Sequence, residues 1–106
     1  MGDVVEEFDK DMMEVYRAAK SECSYNAVRF LEMLHDMRGL RTARRLLSTG
    51  NAQYGFDKLW ECGCLHLTVE CLVLRPKYQV LFKAAELEQA RKRLKAHRYD
   101  PANCEC

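Results

Sequence analysis

Residues that interrupt regular structure are scarce, with two prolines and five glycines among 106 residues. Long hydrophobic runs are missing too, since no stretch approaches the ~18 apolar residues of a membrane span. The first residues carry acids where a signal peptide carries bases, so we expect no secretion signal, no membrane partner and a cytoplasmic location. The net charge is only +1, which excludes a global field that would attract nucleic acid.

The short motifs of catalysis and nucleotide binding are also absent. The sequence has no P-loop, no Gly-x-Gly-x-x-Gly fingerprint and no His-Glu-x-x-His zinc motif. His35, His66 and His97 are scattered, and no signature joins them to a Cys or Ser nucleophile. We therefore predict a protein that is not an enzyme and has no cofactor.

The chain instead contains amphipathic helices. Apolar residues recur at three- and four-residue steps in 3–20, in the segment that ends near Gly39, in 40–48, in a segment that ends at Gly63 and in 84–97. The length suits one domain that can bury its own core. We predict an all-α fold, a single compact domain of five to six short helices over residues 1–99, followed by a flexible C-terminal tail over residues 100–106.

The stretch 55–82 is the longest run with few charges and is expected to form the centre of the fold. Leu59 and Trp60 share a helical stripe with Phe56, which predicts that the only tryptophan is buried. Residues 65–74 fit either period: alternation favours a strand, whereas the helical spacing and a capping Thr68 favour a helix. Because no other stretch offers a pairing strand, we predict a short buried helix over 68–74, ended by Pro76 and followed by a turn.

Glu70 interrupts this apolar run. A carboxylate buried there needs a donor, because an uncompensated charge is costly inside a protein. Candidate donors are Arg29, Arg75 and Tyr78. We interpret the pair as structural rather than catalytic.

Six cysteines without a secretion signal indicate thiols or metal ligands in a reducing compartment. Cys62, Cys64, His66 and Cys71 form the only cluster that resembles a metal site. Zinc requires four such ligands in a tetrahedron, but a single Cys-x-Cys is poor spacing for one. We therefore expect small hydrophobic thiols and no metal.

Charge is distributed unevenly along the chain. Through Glu22, seven acids face three bases, a net charge of −4, and the remainder carries +5. This separation favours a protein-interaction module, a small adaptor or inhibitor that binds another protein or a second copy of itself. The alternative is a nucleic-acid-binding regulator that uses the basic third and last helices, and a zinc-binding or enzymatic role ranks third. The partner-binding candidates are Glu7, Asp11, Glu14, Arg41, Arg44 and Arg45.

Several strings resemble a small bacterial helical domain family of unknown function over residues 25–99. They include Tyr25-Asn26, Phe30-Leu31, Gly55-Phe56 with Leu59-Trp60-Glu61, Leu67-Thr68-Val69-Glu70, Leu72-Val73-Leu74 and Pro76-Lys77-Tyr78. The family pattern would place Asp, Thr and Gly where His66, Lys83 and Arg98 stand. The resemblance implies a helical protein from a bacterium or a mobile element, and it implies no catalytic residue.

Overall fold

A computed structural model describes residues 3–49 and 56–104 of the chain. This part of the chain is all-α, as predicted, and contains no strand. Two short 3-10 helices, Leu65–Leu67 and Pro101–Asn103, accompany the α-helices. The α-helices are α1 Val4–Cys23, α2 Val28–Thr49, α3 Phe56–Glu61, α4 Val69–Val73, α5 Pro76–Gln79 and α6 Ala84–Ala96.

Helix α1 begins where the sequence predicts it and runs three residues further. The Asp3 side chain caps it by accepting a hydrogen bond of 3.0 Å from the amide of Val5. Its apolar stripe continues one turn past Ala19 to the buried Cys23, which explains the extra length. Ser24 then ends the helix in a left-handed conformation, with φ of 53°.

Helix α2 is kinked at the predicted break. Arg38 has non-helical angles, φ 69° and ψ 177°, so the helix consists of two segments. The amide of Gly39 donates to Asp9 Oδ1 at 2.6 Å. A Cβ atom on Gly39 would lie only 2.9 Å from the Cα of Asp9, so only glycine lets α2 approach α1 this closely.

The ambiguous stretch is helical, as predicted. Thr68 caps α4 by accepting from the amide of Cys71 at 3.2 Å, and its hydroxyl donates to the carbonyl of Leu65 at 2.7 Å. All five residues of α4 are buried, and the helix packs against α1, α2 and α6. Pro76 does not lead into a turn as expected, because it occupies the first position of α5, where its missing amide costs nothing.

The core continues from α4 to α1 and α5. Phe8 packs edge-on against Tyr78, with ring centroids 5.0 Å apart, and against Phe82 at 5.5 Å. Such arrangements match the positive edge of one ring to the negative face of another. No helix in the described residues is long and apolar enough to cross a membrane.

Two disulfide bonds correct the expectation of free thiols. Cys23 is bonded to Cys62, and Cys71 is bonded to Cys104. The second bond also changes the view of the tail, because Cys104 is buried and Pro101–Asn103 forms a 3-10 helix. The end of the described chain is therefore fastened to α4.

Candidate functional site

Trp60 lies on the surface, in contradiction to the prediction that it is buried. Its neighbour Leu59 is 1% exposed, whereas Trp60 is 49% exposed. Adjacent helical positions lie about 100° apart, so a short helix that packs through Leu59 turns Trp60 outward. The side chain of Phe56, the third member of the predicted stripe, lies outside the described residues.

The segment that carries Trp60 is held in place after the helix ends. Cys62 is bonded to Cys23 at the end of α1. The amide of Gly63 donates to the carbonyl of Trp60 at 3.0 Å, and the amide of Cys64 donates to the carbonyl of Leu59 at 2.8 Å. Gly63 has φ of 72°, which glycine adopts without strain, so the chain turns sharply just after Trp60.

His97, which follows the last residue of α6, faces Trp60 from the other side of a shallow cavity. The ring of His97 meets that of Trp60 edge-on, with centroids 4.9 Å apart. His97 Nδ1 lies 2.9 Å from the carbonyl oxygen of Arg93. Because a carbonyl only accepts, Nδ1 carries the proton in this contact.

Arg98 occupies the left-handed position that terminates α6. Its φ is 61°, and the amide of Tyr99 that follows donates to the carbonyl of Leu94 at 2.9 Å. This is the helix ending for which glycine is the favoured residue. The arginine at this position therefore brings a cation to a site where the backbone itself needs none.

Together these side chains form a shallow cavity of about 230 Å³, which we call the Trp60 pocket. No acidic residue is among its six lining residues, and Arg98 supplies a permanent positive charge. Tryptophan, tyrosine and arginine are the residue types that carry most binding energy at protein interfaces. The lining residues are Trp60, Gly63, Leu65, His97, Arg98 and Tyr99.

A buried ion pair supports the helix behind this pocket. Glu70 is fully buried, and its Oε2 accepts from Arg93 Nη1 at 2.8 Å. The same guanidinium donates to the carbonyls of Leu46 and Leu47 at 2.8 and 3.0 Å. Glu70 is thus paired, as expected, but its donor is Arg93 rather than Arg29, Arg75 or Tyr78.

The acidic partner-binding candidates have partners within the chain. Glu7 lies 3.4 Å from Lys77 Nζ, and Glu14 lies 2.7 Å from Arg17 Nη1. Asp11 lies 3.5 Å from Arg75 Nη1 and also accepts a hydrogen bond from the hydroxyl of Tyr78. These contacts lower the charge that this face of α1 offers to another protein.

Tyr78, the tyrosine of this network, has a displaced pKa. Burial raises the pKa of its hydroxyl well above the usual range, and the hydrogen bond to Asp11 and the negative charge of Asp11 raise it further. Tyr78 therefore remains a neutral donor to Asp11.

The basic candidates divide into two groups. Arg44 Nη2 donates to the carbonyl of Leu81 at 2.8 Å, and its Nε lies 3.9 Å from Glu86. Arg41 and Arg45 are exposed, as the sequence predicts from their position opposite Leu40 and Leu47. Arg44 is thus part of the packing between α2 and the 81–86 segment.

The structure does not bring the four zinc candidates together. Cys62 and Cys71 are bonded to different partners, and Cys64 is a half-buried free thiol. No group of three or more His, Cys, Asp or Glu side chains within residues 3–49 and 56–104 could hold a metal ion.

Sequence reasoning missed the Trp60 pocket. Its aromatic and basic residues come from segments more than 30 positions apart, and the periodicity of each segment predicted only ordinary helix faces. Comparison of the chain with family models, curated proteins and solved structures found no match.

Proposed function

We propose that the chain is a non-enzymatic protein-interaction module, an adaptor or inhibitor, that binds an acidic segment of another protein in the Trp60 pocket. The observation that carries this proposal is the half-exposed Trp60, held against His97 and next to Arg98. A large aromatic ring left in water at a fixed position is typical of an interface anchor.

The lining of the pocket defines the chemistry of the partner. Arg98 favours a carboxylate, since its guanidinium can donate two parallel hydrogen bonds to it. Trp60 and Leu65 offer an apolar surface to a neighbouring side chain of the same segment. A segment with Asp or Glu beside an apolar residue satisfies both requirements.

The pocket is held in its shape before a partner arrives. The Cys23–Cys62 bond and the backbone contacts of Gly63 and Cys64 fix the Trp60 segment, and the Arg93 carbonyl orients His97. A fixed surface loses little conformational entropy when it binds, which favours affinity.

The two disulfide bonds bear on the cellular compartment in which this interaction would take place. Cytosolic thiols are kept reduced, so the bonds weigh against the cytoplasmic location expected from the sequence. We infer that the module works where disulfide bonds persist.

Nucleic acid remains the alternative partner, but no contact among the described residues favours it. Arg41, Arg44 and Arg45 are exposed, but Arg44 donates to the carbonyl of Leu81, and the largely buried Arg93 donates to the carbonyl of Leu46. Among the exposed arginines in the second segment of α2, Arg41 and Arg45 are those for which no side-chain contact is described, and two such side chains make a small footprint for a phosphate backbone.

A peptide selection tests the proposal even though the partner is unidentified. A random peptide library displayed on phage is selected on the oxidised protein, after removal of phage that bind the Trp60→Ala variant. We expect enriched peptides that contain Asp or Glu beside an apolar residue. Their affinity should also fall in Arg98→Gly, which folds well because glycine adopts the positive φ without strain.

The matched control is Arg41→Glu with Arg45→Glu, which reverses two exposed charges outside the pocket. Peptide binding should not change in this double variant. The proposal is wrong if no peptide is enriched, or if the enriched peptides lack acidic residues. It is also wrong if duplex DNA binds wild type tightly and loses affinity in the double variant.

A further inference from the structure

Two adjoining cavities lie where α1 meets the kink of α2. One has a volume of about 320 Å³ and the other about 260 Å³, and both are lined by Asp9 and Arg38. The first contains two further basic side chains, Lys10 and His35. In the second, Val5, Met37 and Leu40 supply apolar surface, and Glu6, Gly39 and Arg41 complete the lining.

Arg38 stands between the two cavities in a backbone conformation that an arginine rarely adopts. Its φ of 69° and ψ of 177° lie in a region populated almost entirely by glycine. Gly39, not Arg38, makes the close approach to α1, so helix packing does not require a side chain at position 38. The strained residue therefore presents its guanidinium at the junction of the two cavities.

The contacts of Arg38 leave part of that guanidinium for a ligand. Its Nε lies 3.5 Å from Asp9 Oδ2, and the side chain is 79% exposed. The other oxygen of Asp9 accepts from the amide of Gly39 at 2.6 Å. With both Asp9 oxygens engaged, the terminal nitrogens of Arg38 and the Lys10 amine can receive another anion.

We propose that the two adjoining cavities, which together form one groove along Asp9 and Arg38, bind a small amphipathic carboxylate of the free medium-chain fatty-acid class. The carboxylate lies against Arg38 and Lys10, where the planar guanidinium can donate to both of its oxygens. The alkyl chain lies against Val5, Met37 and Leu40, where its burial supplies most of the affinity. The site is distinct from the Trp60 pocket and does not depend on the function proposed for that pocket.

Octanoate is the probe, with octanol and acetate as controls that lack the charge and the chain respectively. Amide chemical shifts in the 15N spectrum report the site, and calorimetry reports the affinity. We expect saturable octanoate binding with shifts at Asp9, Lys10 and Arg38. Octanol and acetate should each bind at least about tenfold more weakly, since each loses one of the two interactions.

Arg38→Gly distinguishes a binding residue from a structural one. This variant should lose at least about tenfold in octanoate affinity. Its melting temperature should be equal to or higher than that of wild type, because glycine relieves the strained φ. Arg45→Ala removes an exposed arginine that lines neither cavity, and it should leave octanoate binding unchanged.

Asp9→Asn provides an independent check, because it retains an oxygen for the Gly39 amide and removes the negative charge beside the site. Octanoate should bind more tightly to this variant. The proposal is overturned if octanoate does not bind saturably, if octanol binds equally well, or if Arg38→Gly binds octanoate as wild type does.

Discussion

Arg93 connects three parts of the molecule through one guanidinium. It neutralises Glu70 on α4 and satisfies the carbonyls of Leu46 and Leu47, which lie in the last turn of α2. Carbonyls in a last turn have no partner within their own helix, so an arginine from α6 completes the end of α2. The side chain is only 11% exposed, which removes Arg93 from any basic surface of α6.

The sequence was sufficient to predict that Glu70 needs a donor, because it stands in an apolar run. It did not identify Arg93, which is 23 positions away and reaches Glu70 only because α6 packs across α4. The exposure of Trp60 was missed for the same reason. A stripe of apolar residues marks a face of a helix, but tertiary packing decides which part of that face is covered.

Replacement of Arg93 should be severely destabilising. Arg93→Met removes one side of a buried ion pair and the donor to two carbonyls, so the free energy of unfolding should fall by about 3–5 kcal/mol. Lys92→Met, a change at the exposed neighbouring position, should alter it by less than about 0.5 kcal/mol. Urea unfolding of both variants measures the difference. A loss below about 1 kcal/mol in Arg93→Met would show that the pair does not stabilise the fold.

Tyr78 should make stability depend on alkaline pH. The folded protein keeps the hydroxyl protonated because its pKa is raised, whereas the tyrosine of the unfolded chain ionises at about pH 10. The unfolded state then binds fewer protons than the folded state, so stability decreases as the pH rises above that value.

Tyr78→Phe should remove this dependence together with the hydrogen bond to Asp11. Below about pH 9 the variant should be about 1.5 kcal/mol less stable than wild type, since it loses a hydrogen bond to a charged group. That difference should shrink as the pH rises past about 10. Urea unfolding across this range is the measurement, and a difference that stays constant would contradict the account of Tyr78.

At the scale of elements, the sequence predicted helix boundaries correctly where a single residue acts directly on the backbone. Asp3 predicted the start of α1, Gly39 marked the kink of α2, and Thr68 favoured a helix over a strand for 68–74. Asp3 and Thr68 act through caps that are encoded within a few positions, whereas Gly39 allows a close approach to Asp9, 30 positions away. The disulfides were not predicted, since pairing Cys23 with Cys62 requires the fold that brings their helices together.

The Cys71–Cys104 bond should contribute strongly to stability. It joins residues 33 positions apart, so a chain-entropy estimate gives about 3–4 kcal/mol from the restricted unfolded state. Cys104→Ser should lower the free energy of unfolding by about this amount under oxidising conditions. Peptide mapping of the unreduced protein supplies the control for connectivity. Equal stability of wild type and variant, measured by urea unfolding without reductant, would contradict the bond's role.

On the scale of the whole molecule, acidic residues from the first part of the chain form ion pairs with basic residues from the later part. Glu7 and Asp11 of α1 pair with Lys77 and Arg75 near α5, which helps to hold the N-terminal helix on the centre of the fold. Ion pairs within the fold therefore neutralise part of the charge asymmetry of the sequence. The Trp60 pocket, where an aromatic surface adjoins Arg98, is the surface that we propose for a protein partner.

The most direct test of this role is a calorimetric titration of a phage-selected acidic peptide into wild type and Trp60→Ala. We expect Trp60→Ala to weaken binding by about 30-fold or more, the loss typical of an anchoring aromatic residue. Its circular dichroism should match that of wild type, because Trp60 is half-exposed and Leu59 fills the core. Equal affinity of the two folded proteins would contradict the role assigned to the Trp60 pocket.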